Sequence, residues 1–177
     1  YWKFDAMKVI GLLSGKGGVG KTSSAVNLAA ALHRYGKRVV LVDGNLTTPN
    51  VGLHFGTALS WGNIHHVLKG EKSISEVLHR HPSGLSYVPG SLALTDMEGL
   101  KLSRFSQIRD LDADYVLLDG AAGLGSEVLT VMEHADSLLV VTNAELPAIT
   151  DALKTVKLAE ELGKDVMGVL LTRVKGD

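Results

Sequence analysis

The run Ser14 to Ser23, SGKGGVGKTS, holds the densest chemistry in the chain. Gly15, Gly20, Lys21 and Thr22 meet the pattern G-x-x-x-x-G-K-[S/T], and they sit between an apolar run and a segment of helical periodicity. In that setting Gly15, Gly17, Gly18 and Gly20 let successive backbone N–H groups turn toward one centre. The positive end of the following helix adds to the attraction for phosphate. Lys21 is then placed to reach β- and γ-phosphates, and the Thr22 hydroxyl to ligate Mg²⁺, with Val19 and Ser23 completing the cradle. Lys16 fills the first variable slot of the loop. A surface lysine is ordinarily solvated, but beside a triphosphate a second cation can neutralise charge that develops during phosphoryl transfer. Asp119 ends the run Val116-Leu117-Leu118-Asp119, where a carboxylate can hold Mg²⁺ directly or through water; the alternative role is to cap the next helix. Asp43 ends a second such run.

These groups need a scaffold that brings strand ends together. Short β-branched or leucine-rich runs alternate with helical patterns, which predicts a doubly wound α/β domain with a mainly parallel sheet flanked by helices. Strands are expected at 9–13, 38–42, 85–88, 115–118, 137–142 and 166–171. Helices are expected at 22–35, 61–69, 73–80, somewhere within 95–110, at 126–134 and at 147–162. In the last of these Ile149, Ala152, Leu153, Val156 and Ala159 share a face, with Pro147 near the start and Gly163 beyond the end. Residues 44–60 read as loop, punctuated by Pro49, Gly52 and Gly56.

Bulk properties narrow the classes. The 177 residues carry 18 basic and 19 acidic side chains, so no global basic field favours sequence-specific nucleic-acid binding. The absence of cysteine removes disulfides and thiolate metal sites from the chain itself and fits a cytoplasmic protein. No apolar run approaches the roughly 20 residues that cross a bilayer. Residues 1–6, YWKFDA, precede a methionine and read as a tag or extension before a single domain, 7–177. His65-His66 and His79-x-His81 lack the companions of a tetrahedral metal site and read as packing or surface residues. Trp61 reads as packing.

The same motif, with lysines at both 16 and 21, resembles the deviant Walker A loop of the MinD/ParA family of P-loop ATPases, a SIMIBI-like fold. The likeness runs from Met7 through the whole chain. LTTPN at 46–50, AAGLG at 121–125 and TNAELPAITD at 142–151 look most like archaeal MinD-like members. The resemblance implies that Lys16 is the signature lysine, which reaches across an ATP-dependent homodimer to the partner's nucleotide. It makes Asp43 the first acid of a D-x-D switch motif, whose expected partners are the Mg²⁺ shell and the Thr22 hydroxyl. Asp43-Gly44-Asn45 departs from that motif at its second acid. An amide can orient water but cannot take a proton as a carboxylate does, so Asn45 implies slow hydrolysis; it also suits a simple turn residue. Asp119-Gly120-Ala121-Ala122-Gly123 resembles the second switch without its serine and proline. Thr172 and Arg173 match the segment that walls the base.

The function implied is an ATP/ADP- and Mg²⁺-binding switch that hydrolyses slowly, dimerises with ATP and acts in spatial positioning of cell division or other assemblies, with an unidentified protein partner. One alternative is a metallocluster or metal-insertion ATPase of the same superfamily, although those relatives commonly carry interface cysteines. Another is a binding protein that closes on ATP with negligible hydrolysis. Family members usually continue for some tens of residues past Leu171-Thr172-Arg173, and many end in an amphipathic membrane-targeting helix. The expectation is therefore a chain shortened at its C-terminal side, with peripheral membrane attachment confined to that further segment.

Overall fold

A computed structural model describes residues 6–57 and 61–174; the expected extension, apart from Ala6, lies outside them. Among the described residues seven strands form one sheet: β1 (Lys8–Ser14), β2 (Val39–Gly44), β3 (His79–Arg80), β4 (Ser86–Val88), β5 (Tyr115–Ala122), β6 (Ser137–Asn143) and β7 (Asp165–Thr172). Their order is β3-β4-β2-β5-β1-β6-β7, and only the β3–β4 pair is antiparallel. The helices are α1 (Lys21–Arg34), α2 (Val51–His54), α3 (Ile64–Lys69), α4 (Ser126–His134) and α5 (Leu146–Glu161).

The central strands are buried on both faces, which is why they read as unbroken apolar runs and not as alternating ones. Val9, Leu13, Val42, Val116 and Leu118 point to the face covered by α3 and α4. Their neighbours Ile10, Leu12, Leu41 and Leu117 point to the opposite face, against α1 and α2. Each such side chain contributes about 1.5–3 kcal/mol on leaving water. Leu158 and Ala159 of α5 belong to the first cluster and Ala148 to the second.

Three expectations change. The helix read at 73–80 is a single 3-10 turn, Ser75–Val77, followed by the two residues of β3. The helix within 95–110 is two 3-10 segments, Leu94–Met97 and Leu102–Asp110. The reading of 44–60 as loop misses the four-residue α2, and residues 58–60 lie outside the described ones. Among the described residues, no strand pairs with the outer edge of β7, and Met167, Val169, Leu170 and Leu171 are exposed there. No helix of the described residues is long and apolar enough to cross a membrane.

Candidate phosphate-binding site

Three central strands deliver the site. β1 ends at Ser14 and runs into the glycine loop, and β2 and β5 place Asp43 and Asp119 directly opposite each other in register. The carboxyl ends of parallel strands are where an open α/β sheet presents its ligand groups. Both aspartates are fully buried, and Lys21 is buried with them. Lys21 Nζ donates to Asp119 Oδ1 at 2.6 Å, and the Thr22 hydroxyl donates to Asp119 Oδ2 at 2.6 Å. The reading of Asp119 as a helix cap is therefore replaced: its two oxygens face the first two residues of α1.

The glycines serve different ends. A Cβ on Gly15 would lie 2.3 Å from the Asp151 carbonyl carbon, so packing against α5 alone demands glycine there. Gly18 and Gly20 have φ of +76° and +95°, a left-handed backbone that side chains resist. Gly17 is not crowded: a Cβ there would meet nothing within 4 Å. Gly20 also precedes α1 with no side-chain cap, and no acidic residue occupies the helix's first turn, which leaves its N–H groups to an anion. The loop opens onto a cleft of about 740 Å³ shared by Ser14, Thr22, Asn45, Thr48, Ser126 and Glu127, among others. The Ser14 hydroxyl on its wall is buried and has no hydrogen-bond partner among the described residues. Two buried carboxylates and a hydroxyl offer oxygen ligands suited to Mg²⁺, and a lysine beside a glycine cradle suits a phosphate chain.

Asp43 does not meet the Thr22 hydroxyl as expected; that hydroxyl is committed to Asp119. Asp43 instead accepts the backbone N–H of Asn45 (3.2 Å) through one oxygen and those of Asn50 and Val51 (2.9 Å each) through the other. Burial, reinforced by the facing Asp119, pushes its carboxyl up to about 7, against the pull of the Val51 and Asn45 N–H groups and of Lys21. Lys16 is about half exposed and its Nζ lies 3.4 Å from Glu145. Such an exposed pair is worth about 0–1 kcal/mol, so it restrains the lysine weakly.

Residues 7–167 match the model of a family described as an AAA domain. An uncharacterized ATP-binding protein of Methanocaldococcus jannaschii is 38% identical over 175 residues, covering 96% of this chain and 65% of that protein. Two solved structures superpose closely. The Pyrococcus furiosus cell division ATPase MinD gives a TM-score of 0.87 at 30% identity, over 93% of this chain and 71% of that one. The septum site-determining protein MinD of Pyrococcus horikoshii, complexed with Mg-ADP, gives 0.86 at 28%, over 93% and 70%. The chain belongs to the MinD/ParA family of P-loop ATPases. It spans about 65% of the length of the M. jannaschii relative.

The remaining residues singled out from this MinD/ParA sequence lie partly in the cleft and partly away from it. Asn45 is buried, and its carboxamide oxygen accepts the Thr48 N–H (3.2 Å) and hydroxyl (3.1 Å), the arrangement of a turn residue. Thr172 donates to the Val19 carbonyl at 2.6 Å, and Arg173, at φ +53°, donates to the Gly18 carbonyl at 2.7 Å. Both thus brace the back of the loop, beside a second cleft of about 550 Å³ that also includes Ser23 and Asn27. His65 is buried and bonds the Leu46 carbonyl through Nε2. His79 bonds the Gly62 carbonyl through Nε2 and packs near Trp61 and Tyr87.

One residue of the cleft escaped the sequence reading. Glu127, in the first turn of α4, accepts the N–H of Leu46 (3.1 Å), the N–H of Thr47 (3.0 Å) and the Thr47 hydroxyl. Its signal was a glutamate opening the helix after a glycine loop. That pattern is common enough at helix starts to pass as a favourable charge near a dipole.

Proposed function

We propose that this chain is an ATP-dependent molecular switch: it binds ATP with Mg²⁺, dimerises in that state, hydrolyses the nucleotide slowly and releases the dimer. The observation that carries this reading is the convergence of Lys21 and Thr22 on Asp119 beneath the glycine loop. In the bound state Lys21 would turn from Asp119 to the β- and γ-phosphates, while Thr22, Asp119 and Asp43 would hold Mg²⁺ directly or through water. The metal, when bound, neutralises charge on the phosphate oxygens. The loop N–H groups cradle the phosphates, and Lys16, only weakly held by Glu145, is free to reach a partner's nucleotide. The relatives named as cell-division and septum-site proteins support a role in spatial positioning.

Asn45 favours a second reading, a protein that closes on ATP with negligible hydrolysis. Its amide oxygen is occupied by Thr48 and cannot take a proton. Light scattering with and without ATP–Mg²⁺ tests the switch. The apparent mass should double with ATP and stay monomeric with ADP. Lys16→Ala should keep nucleotide affinity within about threefold while losing dimerisation. Unchanged dimerisation in that variant would remove the role given to Lys16. A mass indifferent to ATP in the parent chain would remove the switch itself.

A further inference from the structure

Between Asn45 and Val51 every backbone N–H is committed to a side-chain oxygen, Pro49 having none to offer. Asp43 takes those of Asn45, Asn50 and Val51. The Asn45 carboxamide takes that of Thr48. Glu127 takes those of Leu46 and Thr47, one on each carboxylate oxygen, and the Thr47 hydroxyl as well. Asp43 and Asn45 are local to the loop. Glu127 also lines the cleft but belongs to another element, the helix that begins as soon as the 123–125 loop ends. Using both oxygens fixes the rotation of the two peptides as well as their distance from α4. The Leu46 peptide is gripped from the far side too, because its carbonyl accepts the His65 Nε2–H at 3.0 Å.

We propose that Glu127 is a positioning residue that ties the 45–50 loop to the start of α4, so that both sides of the phosphate cleft respond to the nucleotide as one unit. This rests on reading the cleft as an ATP site. A displacement of either wall is carried to the other through two peptide N–H groups and the Thr47 hydroxyl, all held by one carboxylate. The tie depends on two acceptor oxygens. Glu127→Gln offers a single oxygen at nearly the same volume and leaves one of the two N–H groups without an acceptor.

Hydrogen exchange read by mass spectrometry on the whole chain tests this, comparing Mg-ADP with Mg²⁺ and a slowly hydrolysed ATP analogue. In the parent, the peptides covering 44–50 and 123–131 should change protection together when one nucleotide replaces the other. In Glu127→Gln, exchange of 44–50 should rise about tenfold and lose its nucleotide dependence, while 123–131 still responds. Thr47→Val, which leaves α4 untouched and removes one of the three donors to the carboxylate, should weaken the coupling in part, raising exchange of 44–50 about threefold, and it serves if the glutamine variant folds poorly. Two peptides that still respond together in both variants would overturn the proposal. So would a parent that binds both nucleotides with no response at either peptide. Equilibrium dialysis separates the two levels of failure: no binding of Mg-ATP by the parent removes the ATP-site reading and this inference with it, whereas binding with independent loops removes the inference alone.

Discussion

Lys21 and Asp119 are opposite charges taken out of water and held 2.6 Å apart. Removing one partner of such a pair strands the other, so Lys21→Ala is expected to destabilise the fold by roughly 3 kcal/mol in urea unfolding. The same variant should lose most nucleotide affinity in calorimetric titration, and binding as tight as the parent's would refute the phosphate-loop assignment. Asn45 sits two residues from Asp43 with its amide oxygen turned to Thr48. Aspartate there keeps that acceptor and adds the carboxylate that a general base requires. Asn45→Asp should therefore raise steady-state ATP hydrolysis by about tenfold or more. An unchanged rate would show that the missing carboxylate is not what limits turnover.

The elements around the cleft are held at short range, and their tolerances follow from that. Gly15 lies against the backbone of Asp151, so Gly15→Ala must push the loop and α5 apart, for an expected loss of roughly 2 kcal/mol in thermal or urea unfolding. The same closeness explains why α5 follows its sequence pattern only in part. Of the expected face, Ala152 and Ala159 are buried while Ile149 and Leu153 are exposed, and Ala148 and Thr155 complete the buried stripe. Small residues let the helix approach; hydrophobicity alone would have chosen the leucine. The strands and the phosphate loop were legible because a doubly buried strand must be apolar and a phosphate cradle must be glycine-rich. Glu127 and the Asp43 contacts were not, since they join residues far apart in sequence or satisfy backbone groups that no side-chain pattern reports. The short 3-10 segments within 75–110 were read as helices because apolar spacing does not distinguish one turn from three. His65 adds a pH-dependent element. Burial, with Lys69 adding to it, holds the ring below the ordinary histidine range, against the Leu46 carbonyl, Asp96 and Glu127. The Ser91 N–H donates to Nδ1, so a second ring proton would break that bond. A depressed folded value means this stability is complete above about pH 6.5 and is lost as pH falls through that range. Asp43, raised to about 7, acts with the opposite sign, its contribution being lost as pH rises through that value. The difference between parent and His65→Gln melting curves isolates the histidine. The parent should lose more stability than the variant between pH 7.5 and 5.5, and parallel curves would exclude His65 as the source.

At the scale of the whole molecule, the sheet order puts the first strand in the middle. β1 pairs with β5 on one side and β6 on the other, Lys8 beside Tyr115 and Ile10 beside Ser137. The glycine loop that hangs from β1 is thus written well before both strands that flank β1 in the sheet. During synthesis at about 5–20 residues per second, that loop leaves the ribosome many seconds before either neighbour of its strand exists. Over that interval only local bonds such as those from Ser24 to the Gly20 carbonyl are on hand, and the entropy of closing so long a loop must be met before the strand contacts reward it. The capacity to grip a phosphate is therefore acquired only after β5 and β6 have been made, although the loop's own residues are made before theirs.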